Sequence, residues 1–367
     1  MPAASAAEQA ADVVRELARE PRSAGSEAER RAREFCAARL RAVGFTVREE
    51  PFDYSSFIGR WGTPIGGLAA LVALLLANRL ARAGAPMWAL GVLVVAAVVL
   101  AVVGTVAARS GVLTFPAARR PGVNLVAIRG AEPPTLWLMA HLDSKSQPVP
   151  ILARAGGITL VGAMWIASIV LAIAQAAGSE ASAWWVPIAV IAALGAVPVI
   201  ATTVGSRSPG ALDNASGVAA VLRAAETSRA PVGVCLTSAE ELGLAGARAW
   251  VRGRLPAVAV NCDGIDDTGT LTCMYTAARP DPLIRRLDDA SAKTGSSLRA
   301  HRLLPGVLTD GVALTDAGWA AVTISKGGVS TLARIHSSRD RADSLNGTGI
   351  AEVAAVLAHV VDDIPRA

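Results

Sequence analysis

Aromatic side chains are scarce: two Tyr and five Phe accompany eight Trp in 367 residues. With few stacking rings and no RNA or DNA motif, the formal net charge of +5 (35 Lys and Arg against 30 Asp and Glu) does not point to a nucleic-acid partner. Basic residues beside lipid headgroups are the simpler reading. Cysteine is scarce too. Cys36, Cys235, Cys262 and Cys273 form no C-x-x-C pair and sit in apolar runs, which argues against a disulfide framework or a thiolate zinc site and for reduced, buried thiols. Residues 1–60 alternate Arg with Glu and lack an apolar run, so no signal peptide is expected there. Charge as a whole is thin, at 18% of residues against 52% hydrophobic, where soluble chains carry roughly a quarter charged. Disorder is excluded for most of the chain. Because the apolar excess is unevenly spread, part of the chain needs lipid as its solvent.

Four stretches contain no ionisable side chain: Gly62–Asn78, Ala85–Ala107, Gly156–Ala177 and Ala181–Val204. Each is about long enough to cross ~30 Å of hydrocarbon as a helix, the first being the shortest. Short links at Arg79–Gly84 and Gly178–Glu180 join them into two hairpins, and Trp88, Trp184 and Trp185 lie near span ends, where an indole favours the interface. Each hairpin returns the chain to the side it left. The remaining sequence, 1–60, 108–155 and 205–367, can therefore assemble into one split globular domain, with 61–107 and 156–204 as the hairpins. Arg60, Arg109, Arg119, Arg120, Lys145, Arg154 and Arg207 flank the spans on that side, against Arg79 and Arg82 on the other. The positive-inside rule then predicts a multi-pass cell-membrane protein with a cytoplasmic globular domain. Spans without acids, bases or imidazoles lack the usual chemistry of an ion pathway, so they read as an anchor.

The globular residues alternate helical and strand patterns, as an α/β layer fold requires. Amphipathic spacing predicts helices near 4–19, 27–43, 214–227, 243–254, 281–295 and 348–361. β-rich runs predict strands near 45–53, 123–129, 135–140, 232–237, 257–262, 270–276, 298–304 and 319–325, a mixed sheet of roughly eight strands flanked by helices.

The chemistry lies in how the apolar strands end. Thr135–Ala140 runs into His141 and Asp143, Val232–Ala239 into Glu240 and Glu241, and Ala257–Cys262 into Asp263. Open α/β sheets bind ligands beyond the carboxyl ends of their strands, so these ends would converge on one cleft. Asp213, in Gly-Ala-Leu-Asp-Asn-Ala-Ser-Gly, stands at the expected start of a helix. Singly, each has a plain structural reading: Asp143 and Asp263 as turn residues, Glu240-Glu241 as a solvated helix start, Asp213-Asn214 as a helix cap. Their order and strand-end placement together make the argument. Five carboxylates in one pocket repel one another unless cations neutralise them. Oxygen and imidazole donors without thiolate favour Zn²⁺ over Mn²⁺ or Co²⁺, and Mg²⁺ alone would not call for histidine. His336, in a polar stretch after the last strand, is the candidate second imidazole. His301 and His359 read as structural, and Cys262, alternating away from Asp263, as packing.

These residues resemble the M28 family of zinc aminopeptidases, whose ordered set is His-x-Asp, Gly-Ala-x-Asp-Asn, Glu-Glu, Asn-x-Asp and a late His. Here the set reads His141-Leu142-Asp143, Gly210-Ala211-Leu212-Asp213-Asn214, Glu240-Glu241, Asn261-Cys262-Asp263 and His336, and Arg22-Ser23-Ala24-Gly25-Ser26 resembles the family's opening. The similarity covers roughly 20–55, 122–145 and 208–363 and leaves the spans outside. It implies a two-zinc centre in which Asp213 bridges, His141 and Asp263 hold one ion, and Glu241 and His336 hold the other. Asp143 would orient the His141 ring. Glu240 would be the general base for a metal-bridging water attacking an N-terminal peptide bond.

One departure is Thr309-Asp310-Gly311, where family members often carry Ser-Asp-His, so substrate preference does not transfer. Another is the second hairpin, inserted between His141 and Asp213. It suggests a cleft near the bilayer surface and hydrophobic peptide substrates. The competing readings are a single-zinc glutaminyl cyclase-like enzyme, disfavoured by retention of both histidines and all three metal carboxylates, and a noncatalytic membrane scaffold, disfavoured by an intact Glu240.

Overall fold

The computed structural model describes residues 5–130, 133–304 and 306–363. The chain divides into two compact units. One comprises Met1–Ser55, Leu113–Ser146 and Ser206–Ala367, and the other Ser56–Val112 and Gln147–Gly205.

In the first unit an eight-stranded mixed sheet is ordered β1-β2-β4-β3-β5-β8-β6-β7. Its strands are β1 (Thr46–Ser55), β2 (Arg119–Arg129), β3 (Leu136–His141), β4 (Val232–Thr237), β5 (Val258–Ile265), β6 (Thr270–Tyr275), β7 (Leu298–Arg302) and β8 (Ala320–Gly327). The four central strands, β4, β3, β5 and β8, run parallel, while the edges add antiparallel pairs at β1/β2, β2/β4 and β6/β8. Parallel strands are covered on both faces, which is why β3 and β4 are buried at every position.

Helices α1 (Ala6–Leu17), α2 (Glu27–Ala42), α8 (Gly217–Thr227), α10 (Asp281–Lys293) and α13 (Thr348–Asp362) supply one large apolar layer. The first shows how locally this is written: Ala10, Val13, Val14 and Leu17 repeat at helical spacing and are buried. Ser5 Oγ accepts from the Glu8 amide at 3.2 Å while the Ser5 amide donates to Glu8 Oε2 at 2.7 Å, a reciprocal cap that starts the helix. A smaller aromatic layer contains Trp137 of β3, Trp250 of α9 (Ala245–Trp250) and Trp319. All eight predicted strands are present. Two short helices were not predicted, α11 (Asp310–Asp316) and α12 (Val329–Leu332); each is too brief to show a helical period.

In the second unit α3 (Ser56–Arg82), α4 (Pro86–Val106), α6 (Ile151–Ala176) and α7 (Trp185–Ile200) are the long helices, with the short α5 (Val112–Thr114) where the chain re-enters the first unit. Among the described residues, four helical stretches are long and apolar enough to cross a membrane: Ser56–Arg82, Pro86–Thr114, Ile151–Ala176 and Ala181–Ile200. The first extends beyond the uncharged run on both sides, carrying Arg60, Arg79 and Arg82 within the helix. Inside this unit a Cβ on Gly157 would meet the Gly195 carbonyl at 2.5 Å, so α6 and α7 cross backbone to backbone. Trp185 Nε1 donates to Gln175 Oε1 at 2.7 Å, and Asn78 Nδ2 to the Trp185 carbonyl. These bonds satisfy buried polar groups within the helix cluster.

Candidate metal centre

Four neighbouring parallel strands deliver the site. His141 ends β3, Glu240 and Glu241 follow β4, Asp263 lies near the end of β5, and His336 sits in the turn after β8 and α12. The sheet order alone therefore gathers residues far apart in sequence.

Each is fixed by backbone contacts. Ala239 (φ 57°), Gly243 (φ 100°) and Leu244 (φ 61°) turn left-handed around the Glu240-Glu241 pair. Asp143 stabilises that turn, its two carboxylate oxygens accepting the amides of Glu240 (3.0 Å) and Glu241 (3.2 Å). The resemblance implies that Asp143 orients the His141 ring, and here the contact runs through its main chain. The His141 Nδ1 lies 3.0 Å from the Asp143 main-chain carbonyl, and 3.7 Å from Oδ1, beyond hydrogen-bonding reach. The carbonyl accepts the Nδ1 proton and leaves Nε2 facing the site.

Asp213 is not at a helix start but in an extended kink (φ −119°, ψ 88°) within Ala211–Ser216, ahead of α8. Asn214 Oδ1 accepts from Gly217 (3.0 Å) and Gly264 (3.2 Å), and its Nδ2 donates to the Cys262 carbonyl (2.8 Å), tying this kink to the end of β5. The tie leaves no room for a side chain at Gly217, where a Cβ would meet Asn214 Oδ1 at 2.2 Å. Asp340 Oδ1 and Oδ2 accept the Leu212 and Asp213 amides at 2.6 and 3.2 Å. His336 has φ 59°, an uncommon conformation for a non-glycine residue that its surroundings hold in place. Its loop is anchored to Asp266 by Thr331 Oγ1 (2.7 Å) and by Arg334.

The resulting geometry is two triads sharing one carboxylate. His141 Nε2 is 3.1 Å from Asp213 Oδ1 and 3.7 Å from Asp263 Oδ1; His336 Nε2 is 2.9 Å from Asp213 Oδ2 and 3.3 Å from Glu241 Oε1. Asp213 thus turns one oxygen toward each imidazole. Donors ~2.0–2.2 Å from one tetrahedral ion stand about 3.4 Å apart, and the potential ligand atoms of each triad lie within 4.8 Å of one another. The residues therefore fit a pair of divalent ions. Glu241 Oε1, aimed into the second triad, is buried without a hydrogen-bond partner, the state of an atom shaped for a ligand.

Electrostatics agree. Burial works against protonated His141, yet Glu240, Asp143, Asp213 and Asp263 outweigh it and hold its pKa well above the ordinary value. Burial pushes the Glu240 carboxyl well above the usual range; His141 opposes, and Glu241, Asp263 and Asp310 push it further. The pocket favours positive charge wherever it can hold it.

Three contributors were not singled out as site residues from sequence. Arg22, fully buried, donates to the carbonyls of Leu142 (2.8 Å), Pro209 (2.6 Å) and Gly210 (2.9 Å), joining the segments that carry His141 and Asp213. Asp340 is the second. Lys145, one of the basic residues flanking the spans, places Nζ 2.6 Å from Glu241 Oε2. No local pattern announces these roles, which arise from tertiary contact. At Thr309-Asp310-Gly311 the departure also has a physical basis: a Cβ on Gly311 would meet Thr323 Oγ1 at 2.5 Å, a hydroxyl bonded to Thr309 Oγ1 at 2.8 Å. Thr323 fills the space through which a side chain at position 311 would leave the backbone.

Behind Asp143, Glu29 accepts the Gly25 amide at 2.6 Å, and burial, reinforced by Asp143, pushes its pKa from 4.5 to about 8. The folded chain thus keeps a proton that the unfolded chain releases, so stability falls as pH rises between those two values. Glu29→Gln is expected to flatten that limb, which melting midpoints measured at about pH 5 and pH 9 would reveal.

A family model described as peptidase family M28 matches residues 124–361. Among curated proteins none matches the sequence significantly. Solved structures with a similar fold include an aminopeptidase from Aneurinibacillus sp. strain AM-1, at TM-score 0.57 and 13% identity, covering 97% of this chain and 93% of that one. A zinc aminopeptidase from Bacillus subtilis aligns at TM-score 0.56 and 14% identity, covering 97% and 94%. A glutaminyl cyclase from Bacteroides thetaiotaomicron aligns at TM-score 0.57 and 13% identity, covering 98% of both chains.

Proposed function

The chain belongs to peptidase family M28, and from that premise we propose that it is a membrane-anchored, zinc-dependent aminopeptidase. The observation that carries the reading is a spare acid: Glu240 belongs to neither triad, yet adjoins Glu241, which belongs to one. His141, Asp213 and Asp263 would hold one Zn²⁺, and Asp213, Glu241 and His336 a second. Bound zinc supplies Lewis-acid polarisation of the substrate carbonyl and raises the acidity of water.

The remaining steps belong to the side chains. Glu240 takes a proton from the attacking water on a carboxylate oxygen and returns it to the leaving amine. Asp143 holds Glu240 and Glu241 through their amides, so that one carboxylate binds while its neighbour moves protons. The four apolar helices would anchor the chain in the bilayer, with the globular unit on the cytoplasmic side. The second hairpin leaves the globular unit shortly after His141 and rejoins it shortly before Asp213, which favours apolar peptides as substrates.

Turnover of matched apolar peptides with free and N-acetylated amino termini tests the activity. The free peptides are expected to lose their first residue, to be spared after chelation, and to be cleaved again once zinc is restored. Equal cleavage of the acetylated peptides would reject the aminopeptidase reading. An N-terminal glutamine that closes to pyroglutamate with release of ammonia, the peptide staying intact, would favour the cyclase alternative.

A further inference from the structure

We propose that Lys145 makes the two cation positions unequal, weakening the Asp213/Glu241/His336 position by competing with its ion for Glu241. The inference rests on the reading that both triads hold divalent ions, and it concerns a residue outside both. Glu241 is divided between two partners. Oε2 bonds Lys145 Nζ at 2.6 Å, whereas Oε1 points toward His336 Nε2 at 3.3 Å and lacks a hydrogen bond. A cation at this corner therefore takes Oε1 alone, with an ammonium held across the same carboxylate. The Lys145 side chain is 15% exposed and that of Glu241 4%, so water screens the two positive charges poorly. The ion pair of Lys145 is with Glu241, which serves one triad; His141 and Asp263 serve the other.

Two effects oppose each other. By holding Oε2, Lys145 orients Glu241 for binding, an outer contact that contributes about 10- to 100-fold in affinity. Against it would stand repulsion between a dication on one oxygen of Glu241 and the ammonium on the other, which exceeds that factor even at an effective dielectric constant of about 20. Repulsion wins, so neutralising the side chain should tighten the second ion.

The test reads metal, not turnover. Zinc-stripped full-length protein in detergent is titrated with Zn²⁺ against a chromophoric chelator at one pH, as wild type and as Lys145→Met. The wild type is expected to bind two ions in steps at least about tenfold apart, and the variant to strengthen the weaker step by about tenfold or more. The stronger step should tighten by less, because Lys145 is paired with Glu241 and not with His141 or Asp263. Lys145→Gln should behave like Lys145→Met, and melting curves show whether either variant is folded. Adding His336→Ala should remove the step that responds. A second step unchanged or weaker in both neutral variants overturns the proposal, as do two equal steps in the wild type or a single ion in every protein. Absence of zinc from all of them would overturn the metal reading as well, which separates the two failures.

Discussion

Glu240→Gln is expected to keep its zinc and lose about 10²- to 10⁴-fold in kcat, the usual contribution of a positioned acid and base. The amide matches the carboxylate in size and leaves the backbone amides of residues 240 and 241 on Asp143, so neither the turn nor Glu241 should move. What it removes is the ability to accept a proton from water and hand it to the amine nitrogen. Because both triads are intact without Glu240, zinc content measured beside kcat separates loss of chemistry from loss of the site. A variant that lost zinc in proportion to activity would make Glu240 a structural or ligating group. One that hydrolysed peptides at the wild-type rate would discard its assignment as the base.

Much of the fold was legible because its signals are local. Apolar runs such as Val232–Thr237 are buried on both faces and leave little choice but a central strand. The uncharged stretches, likewise, needed only length and composition. The candidate site was legible in its residue types and order, since strand ends carry His141, Glu240, Glu241 and Asp263 directly. What could not be read was which atom meets which. That Asp143 orients the His141 ring was implied by the resemblance, but not by which atom: the main-chain carbonyl meets the ring and the carboxylate reaches the amides at 240 and 241. Asp213 read as a helix cap because Asp-Asn commonly is one, and Asn214 does receive the Gly217 amide while Asp213 is turned into the pocket. Lys145 was assigned to the membrane flank by its sequence position alone. Its long, flexible stem folds back to Glu241, almost a hundred positions onward, a pairing that neither periodicity nor local charge could reveal.

The same geometry predicts the most severe single loss at Asp213. His141 Nε2 and His336 Nε2 approach different oxygens of this one carboxylate, so Asp213→Ala removes a donor from both triads at once. With saturating Zn²⁺ the variant is expected to retain neither ion and to fall to the uncatalysed background. His141→Ala and His336→Ala should each cost one ion. The comparison matters because a bridging carboxylate and two separate sites predict different counts: were the triads independent, removing Asp213 would leave one of them competent. Packing around the residue allows the test, since the turn is held by Asp340 through the amides of Leu212 and Asp213, which alanine preserves. Two ions retained by a folded Asp213→Ala protein would place the metal elsewhere and with it the reaction. One ion retained would make Asp213 a ligand of a single site, leaving Glu241 and His336 to another partner.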